Sequence, residues 1–423
     1  MRLTEAQSLL REGRLAEAER AYECVLEQTP ENVEALNVVG LAASRRGEQQ
    51  RARELLGRAT TIDPADARSW HHLGRIEDVA GNFPQAEAAY RQALRLDPQF
   101  FLARLHLAAL LERSAHEDQC LVHYARALRD AQAGGRWLNP DSTAPVVRPL
   151  VEHAVLTVRS GQRTLYANLF EPLVERYGRE ELVRVERCLR VYLEEEAPSY
   201  PDPRQRPTFL FFPGLPTSAY LERAAFPWFE RIEEQYATIR AELLRVLSSS
   251  QGRERVFTSD ELASANLRGT GALPSWDGYY FYRWGVRRDD NCLSCPATAR
   301  ALESLPLCRV REHGPEVLFS VFTPGTHLLP HRGVTNARAV VHLPLIVPGD
   351  CALKVGGEIH VWQEGRLVAF DDTYEHEAWN RSSEVRVVLI VDVWNPYLSE
   401  VETAALRALI EGIGDFRKAV TDA

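Results

Sequence analysis

The apolar and small positions in the first third of the chain recur at a step of 34 residues. Glycine follows this step at positions 13, 47 and 81, and proline follows it at 30, 64 and 98. Three further columns share it: Ala18, Ala52 and Ala86; Tyr22, Leu56 and Tyr90; Val25, Ala59 and Ala93. A period of this length predicts pairs of helices that stack on their neighbours. A fourth, degenerate copy runs through Cys120, Tyr124 and Ala127, with Ala115 in the glycine position.

The pattern changes after residue 133. A loop-like stretch from Gly134 precedes two segments, within 148–196, whose apolar residues are three and four apart. This spacing predicts two or three connecting helices. The proline-rich sequence PSYPDPRQRP at 198–207 then reads as a linker.

Short runs of β-branched and aromatic residues dominate from Val317 onward. They are separated by Gly, Pro or Asp and read VLFSVFTP, ARAVVHLPLIV, LKVGGEIHVW, RLVAFDD and EVRVVLIVDVW. Such runs predict an antiparallel sandwich or barrel. The chain from Ser399 onward has the pattern of a terminal helix.

Composition narrows the classes of function. The formal net charge of −9 argues against a nucleic-acid partner, because such partners are bound through a basic surface. The sequence contains no apolar run long enough to span a bilayer, so we expect no membrane insertion and a cytoplasmic location. Seven scattered cysteines fit a reducing compartment. Cys292 and Cys295 form a single CxxC, which is a weak zinc signal and fits two free thiols or one local disulfide better.

The β region carries histidines in a pattern that suits a metal. His331 lies in PHRG, His376 lies in DDTYEHEAWN, and Arg386 follows ten residues later. Iron(II) enzymes that use 2-oxoglutarate need two neutral imidazoles, open positions for the keto acid and for O2, and a cation for the distal carboxylate. The acidic third ligand common in such enzymes is absent, because the second residue after His331 is Gly333.

Several motifs together identify a family resemblance. FSVFTPGTHLLPHRGVTNARAVVHLPL, followed by VAFDDTYEHEAWN and RVVLIVDVWNP, resembles the aspartyl/asparaginyl β-hydroxylases, in which glycine replaces the acidic ligand. The 34-residue unit resembles the tetratricopeptide repeat. The resemblance implies an α+β multidomain protein: an all-α tetratricopeptide superhelix at 1–133, a helical connector and linker at 134–204, a double-stranded β-helix (jelly roll) at 205–400, and a helix at 401–423.

The same resemblance assigns roles to residues of this sequence. His331 and His376 would bind iron(II), and Asp372 would hydrogen-bond an iron-bound water. Three side chains would contact 2-oxoglutarate, namely Ser320, His342 and Arg386. Each assignment has a structural alternative: a lone histidine in a strand is usually a hydrogen-bonded core residue, Arg386 could pair with Asp392, and Ser320, His342 and Asp372 could be ordinary strand polarity.

One position departs from the family pattern. Animal members carry a basic residue two places before the histidine of HLPL, whereas this chain has Val340. Arg338 lies two residues earlier on the same strand face. We therefore expect Arg338 to compensate in binding the cosubstrate.

These features predict an iron(II)- and 2-oxoglutarate-dependent dioxygenase that hydroxylates an unactivated carbon. The expected target is the β-carbon of an aspartyl or asparaginyl residue in a peptide or protein, presented through the groove of the repeats. Alternative substrates are a small molecule, a carrier-bound intermediate or a lipid acyl chain. A different alternative is a catalytically inactive scaffold, and the repeats could also serve only dimerisation or docking.

Overall fold

Paired helices form the first part of the molecule. The computed structural model describes residues 3–249, 252–269 and 274–423. Its first eight helices are α1 (Leu3–Arg11), α2 (Leu15–Gln28), α3 (Val33–Arg45), α4 (Gln49–Ile62), α5 (Ala67–Val79), α6 (Phe83–Leu96), α7 (Phe101–Arg113) and α8 (Glu117–Ala133). Two helices fall within each 34-residue unit, as the period predicts.

The recurrent glycines lie in the turn inside each pair. Gly13, Gly47 and Gly81 have φ angles of 74°, 85° and 78°, a left-handed conformation that glycine adopts without steric cost. Ala115 has a φ of 59° at the same position of the degenerate copy. The turn geometry is therefore kept where the glycine has been lost.

The large side chains of the repeat, Leu56 and Tyr90, pack against a second set of glycines that are also 34 residues apart, Gly40 and Gly74. Leu56 and Tyr90 are completely buried. A β-carbon on Gly40 would lie 2.9 Å from Cγ of Leu56, and one on Gly74 would lie 2.7 Å from Cδ1 of Tyr90. Close approach between the two helices of a pair therefore depends on these glycines.

The chain after the repeats continues in helices, as predicted. They are α9 (Arg148–Asn168), α10 (Glu171–Tyr177) and α11 (Val183–Tyr192), with a 3-10 turn at Arg179–Leu182. Trp137, Val151 and Ala154 share an apolar cluster with Tyr124 and Leu128 of the last repeat.

The chain divides into two compact units. Their limits differ from the domain boundaries at residues 133 and 204 that the sequence suggested. One unit comprises Met1–Thr164 and Asp415–Ala423, and the other comprises Leu165–Gly414. The apolar cluster that extends from the last repeat into α9 explains why the helical unit continues past residue 133.

Two antiparallel sheets form the core of the second unit, which confirms the predicted β architecture. The larger sheet has the order β1-β3-β5-β12-β7-β10, with β4 paired to β3, and the smaller has the order β2-β6-β11-β8-β9. The strands are β1 (Arg253–Arg255), β2 (Leu267–Gly269), β3 (Trp276–Arg283), β4 (Val286–Arg287), β5 (Val317–Phe322), β6 (Thr326–His331), β7 (Arg338–Ile346), β8 (Cys351–Val355), β9 (Glu358–His360), β10 (Val368–Phe370), β11 (His376–Asn380) and β12 (Arg386–Trp394).

Some of the helices that follow the linker cover one face of the larger sheet. The remaining helices are α12 (Phe229–Glu233), α13 (Tyr236–Leu247), α14 (Asp260–Asn266), α15 (Asp289–Ser294), α16 (Pro296–Glu303) and α17 (Glu400–Asp422). On β12, Val387, Leu389 and Val391 join an apolar cluster with α13 and α16. Successive strand residues point to opposite faces, so Arg386 and Asp392 point away from these helices and toward the space between the sheets.

The cysteines form no disulfide in the part of the chain that the structure describes. Cys292 and Cys295 are buried free thiols, and burial raises the pKa of both. This result agrees with the two-thiol interpretation of the CxxC. No helix among the described residues is long and apolar enough to cross a membrane.

Candidate active site between the two sheets

A cavity of about 210 Å³ opens between the sheets and contains every residue that the sequence assigned to the site. The larger sheet contributes side chains from β3, β5, β7, β10 and β12, and the smaller sheet contributes side chains from β6, β8 and β11. The predicted residues on its wall are Ser320, His331, Arg338, His342, Asp372, His376 and Arg386.

The two predicted ligand histidines lie side by side on neighbouring strands. His331 ends β6 and pairs with His376 at the start of β11, and their ring centroids are 4.0 Å apart. Each Nδ1 lies within hydrogen-bonding distance of a backbone carbonyl, that of Leu329 at 2.9 Å and that of Tyr374 at 3.1 Å. Because a carbonyl only accepts, each neutral ring carries its proton on Nδ1 and leaves the Nε2 lone pair for a metal.

The site favours uncharged imidazole at His376. Burial and the neighbouring His331 lower the pKa of His376 to about 4. A metal therefore does not have to displace a proton from this ring near neutral pH.

The carboxyl group of Asp372 occupies the space in front of Gly333. A β-carbon on Gly333 would overlap this carboxyl group. The backbone fixes the arrangement, because the Gly333 amide donates to the Asp372 carbonyl at 2.6 Å. Oδ1 of Asp372 is buried and has no protein partner within the described residues. A carboxylate is thus present beside the histidines. It comes from the connection between β10 and β11, whereas Gly333 lies in the connection between β6 and β7.

Arg338 connects two carboxylates instead of pointing freely into the cavity. Its guanidinium donates to Oδ2 of Asp372 and, at 2.9 Å, to Oδ2 of Asp392. These contacts raise the pKa of Arg338 and hold it in the charged form, despite the opposing effect of burial. To contact the cosubstrate, as the sequence led us to expect, Arg338 would have to give up one of these two ion pairs.

Arg386 is the buried cation that the sequence predicted. It is 2% exposed, and its guanidinium lies 3.7 Å from the centroid of the Phe322 ring. Nη1 donates to the hydroxyl oxygen of Ser320 at 3.3 Å, whereas Nε has no protein partner in the described part of the chain. No carboxylate among the described residues forms an ion pair with Arg386, and burial lowers its pKa to about 9. Burying an unpaired charge is costly, so the site fits an anion that arrives with a ligand.

His342 on β7 lines the cavity and is close enough to Arg386 and His376 for their charges to affect it. Its ring is buried, 5.0 Å from the Phe370 ring by centroids, and its Nδ1 has no protein partner within the described ranges. Burial and nearby Arg386 lower the pKa of His342 well below its usual value, so the ring is neutral. It supplies a neutral hydrogen-bonding group.

Trp276 and Glu316 are polar residues of the cavity wall that were missed from the sequence. The Nε1 atom of Trp276 donates to the Ser320 hydroxyl at 2.9 Å, which orients that hydroxyl. Glu316 lines the cavity beside Asp392, and burial raises the pKa of its carboxyl to about 7. Strand alternation offered a signal for Glu316, because it is four residues before Ser320 on the same face. Trp276 lies on β3, outside the strands that the sequence reading identified.

Comparisons with known proteins match both parts of the chain. The sequence profile of the aspartyl/asparaginyl β-hydroxylase family matches residues 233–396, which include the histidine pair and Arg386. Tetratricopeptide-repeat profiles match residues 3–67 and 67–100. The chain therefore combines tetratricopeptide repeats with a hydroxylase-type β-sandwich that carries the paired histidines.

Similarity to individual proteins establishes the family. The chain is 33% identical over 249 residues to mouse aspartate beta-hydroxylase domain-containing protein 2, which covers 57% of this chain and 69% of that protein. The chain therefore belongs to the aspartyl/asparaginyl β-hydroxylase family, and the resemblance seen in the sequence is confirmed.

Other relatives match over a smaller share of their length. Identity is 36% over 181 residues to the ornithine lipid ester-linked acyl 2-hydroxylase of Rhizobium tropici, covering 42% of this chain and 61% of that one. It is 34% over 179 residues to human aspartyl/asparaginyl beta-hydroxylase, covering 42% of this chain and 22% of that one. The chain thus spans less than two thirds of both proteins.

Proposed function

We propose that this protein is an iron(II)- and 2-oxoglutarate-dependent hydroxylase. The observation that carries the proposal is that one cavity is lined by two neighbouring histidines, each with its Nδ1 against a backbone carbonyl, and by a buried guanidinium with no ion-pair partner among the described residues. Among the described residues no group of three or more His, Cys, Asp or Glu side chains is arranged to hold a metal. The proposal therefore depends on a two-histidine site, as the family pattern of the sequence implies.

The donor atoms fit iron(II) and the keto acid. Imidazole nitrogens suit iron, and two of them leave positions open for a chelating ligand. When bound, iron and 2-oxoglutarate supply with O2 the oxidation that places a hydroxyl on carbon. The residues of the chain bind and orient: His331 and His376 hold the metal, while Arg386 and Ser320 hold the distal carboxylate.

Two further side chains refine the proposed site. Oδ1 of Asp372 is buried without a partner in the described structure and is suited to accept a hydrogen bond from water on the metal. In this proposal neutral His342, which lines the same cavity as Arg386 and the histidine pair, contacts the keto acid. Because Arg338 is engaged by Asp372 and Asp392, we now assign it to positioning Asp372 instead of binding the cosubstrate.

The carbon that is hydroxylated belongs to one of two substrate chemistries that the relatives' names contain, an aspartyl or asparaginyl side chain and a lipid acyl chain. The sequence alone favoured the aspartyl or asparaginyl β-carbon. The helical repeats serve, in this proposal, to bind a peptide or protein partner in their groove.

Keto-acid binding tests the proposal at Arg386. Arg386→Met removes the cation for the distal carboxylate, and we expect the affinity of the manganese(II)-loaded protein for 2-oxoglutarate to fall at least about 30-fold, because a lost charge pair is worth about 2 kcal/mol or more. Isothermal titration calorimetry measures it. Arg300→Met, at an exposed position, is the matched control and keeps the wild-type affinity.

The result also separates the enzyme from the inactive scaffold. Unchanged affinity in Arg386→Met would contradict the assigned role of this residue. Absence of any 2-oxoglutarate binding in the wild type would favour the scaffold.

A further inference from the structure

We propose that residues 204–210 are a positioning part of the metal site, with Gln205 as their central side chain. The sequence assigned the first four of these residues to a proline-rich linker. The proposal rests on the proposed function, because it concerns the connections that carry the two histidines assigned to the metal. All of the residues involved lie in the compact unit Leu165–Gly414.

Segment 204–210 contacts the backbone on both sides of the histidine pair. Residues 332–337 follow His331 and connect β6 to β7, and residues 371–375 precede His376 and connect β10 to β11. The hydrogen bonds run from the amides of Thr208 and Leu210 to the carbonyls of Gly333 and Val334, both at 3.0 Å, and from the amide of Arg206 to the carbonyl of Thr373, also at 3.0 Å. The segment therefore holds the two connections together.

The side chain of Gln205 anchors the segment to the connection that precedes His376. Gln205 is 1% exposed, and its Nε2 donates to Oδ2 of Asp371 at 2.6 Å. The other oxygen of this buried carboxyl group accepts from the amide and the hydroxyl of Thr373, at 2.9 and 2.6 Å. Loss of the Gln205 donor would leave Oδ2 buried without that bond, which is costly for a carboxylate.

Gln205 also adjoins the group that orients His376. Gln205 and Tyr374 form an isolated antiparallel β-bridge. The carbonyl of Tyr374 lies 3.1 Å from Nδ1 of His376 and accepts its proton, which leaves Nε2 for the metal. Contacts that orient a metal-binding imidazole in this way typically change the metal affinity about 10- to 100-fold when they are lost.

The contacts of the segment lie at the metal end of the proposed site. On the side of His331, the next residue, Arg332, donates from Nη1 to the carbonyl of Arg204 at 2.6 Å. Ser320 and Arg386, which hold the keto acid in the proposed function, belong to β5 and β12 of the larger sheet. None of the hydrogen bonds just described reaches them. Disturbing the segment should therefore weaken metal binding far more than keto-acid binding.

The test replaces Gln205 by a side chain of similar length that cannot donate. In Gln205→Met we expect the affinity of the full chain for manganese(II) to fall at least about tenfold. Electron paramagnetic resonance of free manganese(II) measures it. At saturating manganese, the Kd of 2-oxoglutarate should stay within about threefold of the wild-type value, because Ser320 and Arg386 are unchanged.

Thr298→Val is the matched control. The hydroxyl of Thr298 donates to Oε2 of Glu242 at 2.7 Å, and both residues are buried. This variant also removes a donor from a buried carboxyl group of the same unit, but Thr298 does not line the cavity between the sheets. We expect it to lower the unfolding temperature of the metal-free protein to a similar extent and to keep the wild-type manganese affinity.

Proteolysis of the wild type provides a second measurement. Gln205 is buried, so trypsin can cleave the bond between Arg204 and Gln205 only after the segment has left its place. Coupling is reciprocal, so a segment that strengthens metal binding is itself held more firmly when the metal is bound. Saturating manganese should slow cleavage after Arg204 at least about tenfold. Cleavage after Arg311, in an exposed turn of the same unit, should not change.

The outcomes separate this proposal from the function on which it rests. Unchanged manganese affinity in folded Gln205→Met overturns the positioning role, as does an equal loss in Thr298→Val. Cleavage after Arg204 that manganese does not slow also overturns it. A wild type that binds neither manganese(II) nor 2-oxoglutarate contradicts the proposed function instead. If Gln205→Met fails to fold, the proteolysis of the wild type decides.

Discussion

At the scale of single residues, Asp372 supplies a carboxylate beside the histidine pair, although the second residue after His331 is glycine. Gly333 stands at the position where the sequence analysis expected the acidic ligand common in iron(II) enzymes, and the carboxyl group of Asp372 fills the space that a side chain there would need. Arg338 holds that carboxyl group by an ion pair. Gly333 is therefore required by Asp372, and the two positions should be considered together.

This relation predicts how the two positions respond to substitution. Gly333→Asp forces a side chain into the Asp372 carboxyl group, and we expect the free energy of unfolding to fall by about 1–3 kcal/mol. Adding Asp372→Gly removes the overlap and should recover most of the loss. Urea denaturation followed by circular dichroism measures both effects.

A glycine elsewhere supplies the control for this comparison. Gly349 has no atom within 4 Å of its β-carbon position, so Gly349→Asp should change the stability by no more than about 0.5 kcal/mol. A Gly333→Asp single variant as stable as the wild type would show that Asp372 does not occupy that space in solution.

At the scale of elements, the repeats show which parts of a period the fold depends on. The turn glycines were evident from the 34-residue step, and their left-handed φ angles explain them. Gly40 and Gly74 have the same spacing and a different reason, since each admits a bulky side chain of the partner helix. A glycine within a helix costs stability unless contact with a neighbour requires it.

Two helical glycines therefore respond in opposite directions to alanine. Gly74→Ala places a β-carbon 2.7 Å from the fully buried Tyr90 ring, and we expect the free energy of unfolding to fall by about 1–2 kcal/mol despite the better helix propensity. Gly57→Ala meets no atom within 4 Å and should raise it by about 0.5–1 kcal/mol. Thermal and urea unfolding of the full chain measure both.

The direction of the difference is the test. If both alanine variants are stabilised, α5 and α6 do not pack as closely around Gly74 as the structure shows. If both are destabilised, the cost at Gly57 has a source other than packing.

At the scale of the whole molecule, local patterns predicted the two kinds of architecture, whereas the compact units divide at other positions than the sequence suggested. The 34-residue period and the β-rich runs identified the two kinds of architecture, because each pattern reports the contacts of one element with its neighbours. The division at residue 133 did not appear as a boundary, because Trp137 and Val151 pack with the last repeat. Such packing joins segments through side chains and leaves no period in the sequence.

The same limit applied to the site. His331, His376 and Arg386 were found because they lie in motifs with a fixed order, and the structure brings them around one cavity. The engagement of Arg338 by Asp372 and Asp392 was not predicted, because these residues are 34 and 54 positions away along the chain and meet only through the folding of the strands. The charge balance in this part of the cavity follows from that pairing.

The most direct test of the central claim is an anaerobic optical titration of the full chain with iron(II) and 2-oxoglutarate. A metal held by His331 and His376 and chelated by the keto acid should give a weak visible charge-transfer band that appears only when both are present. We predict this band in the wild type and in the Arg300→Met control, and its loss in His376→Ala. No band in the wild type, or an undiminished band in His376→Ala, would contradict the account.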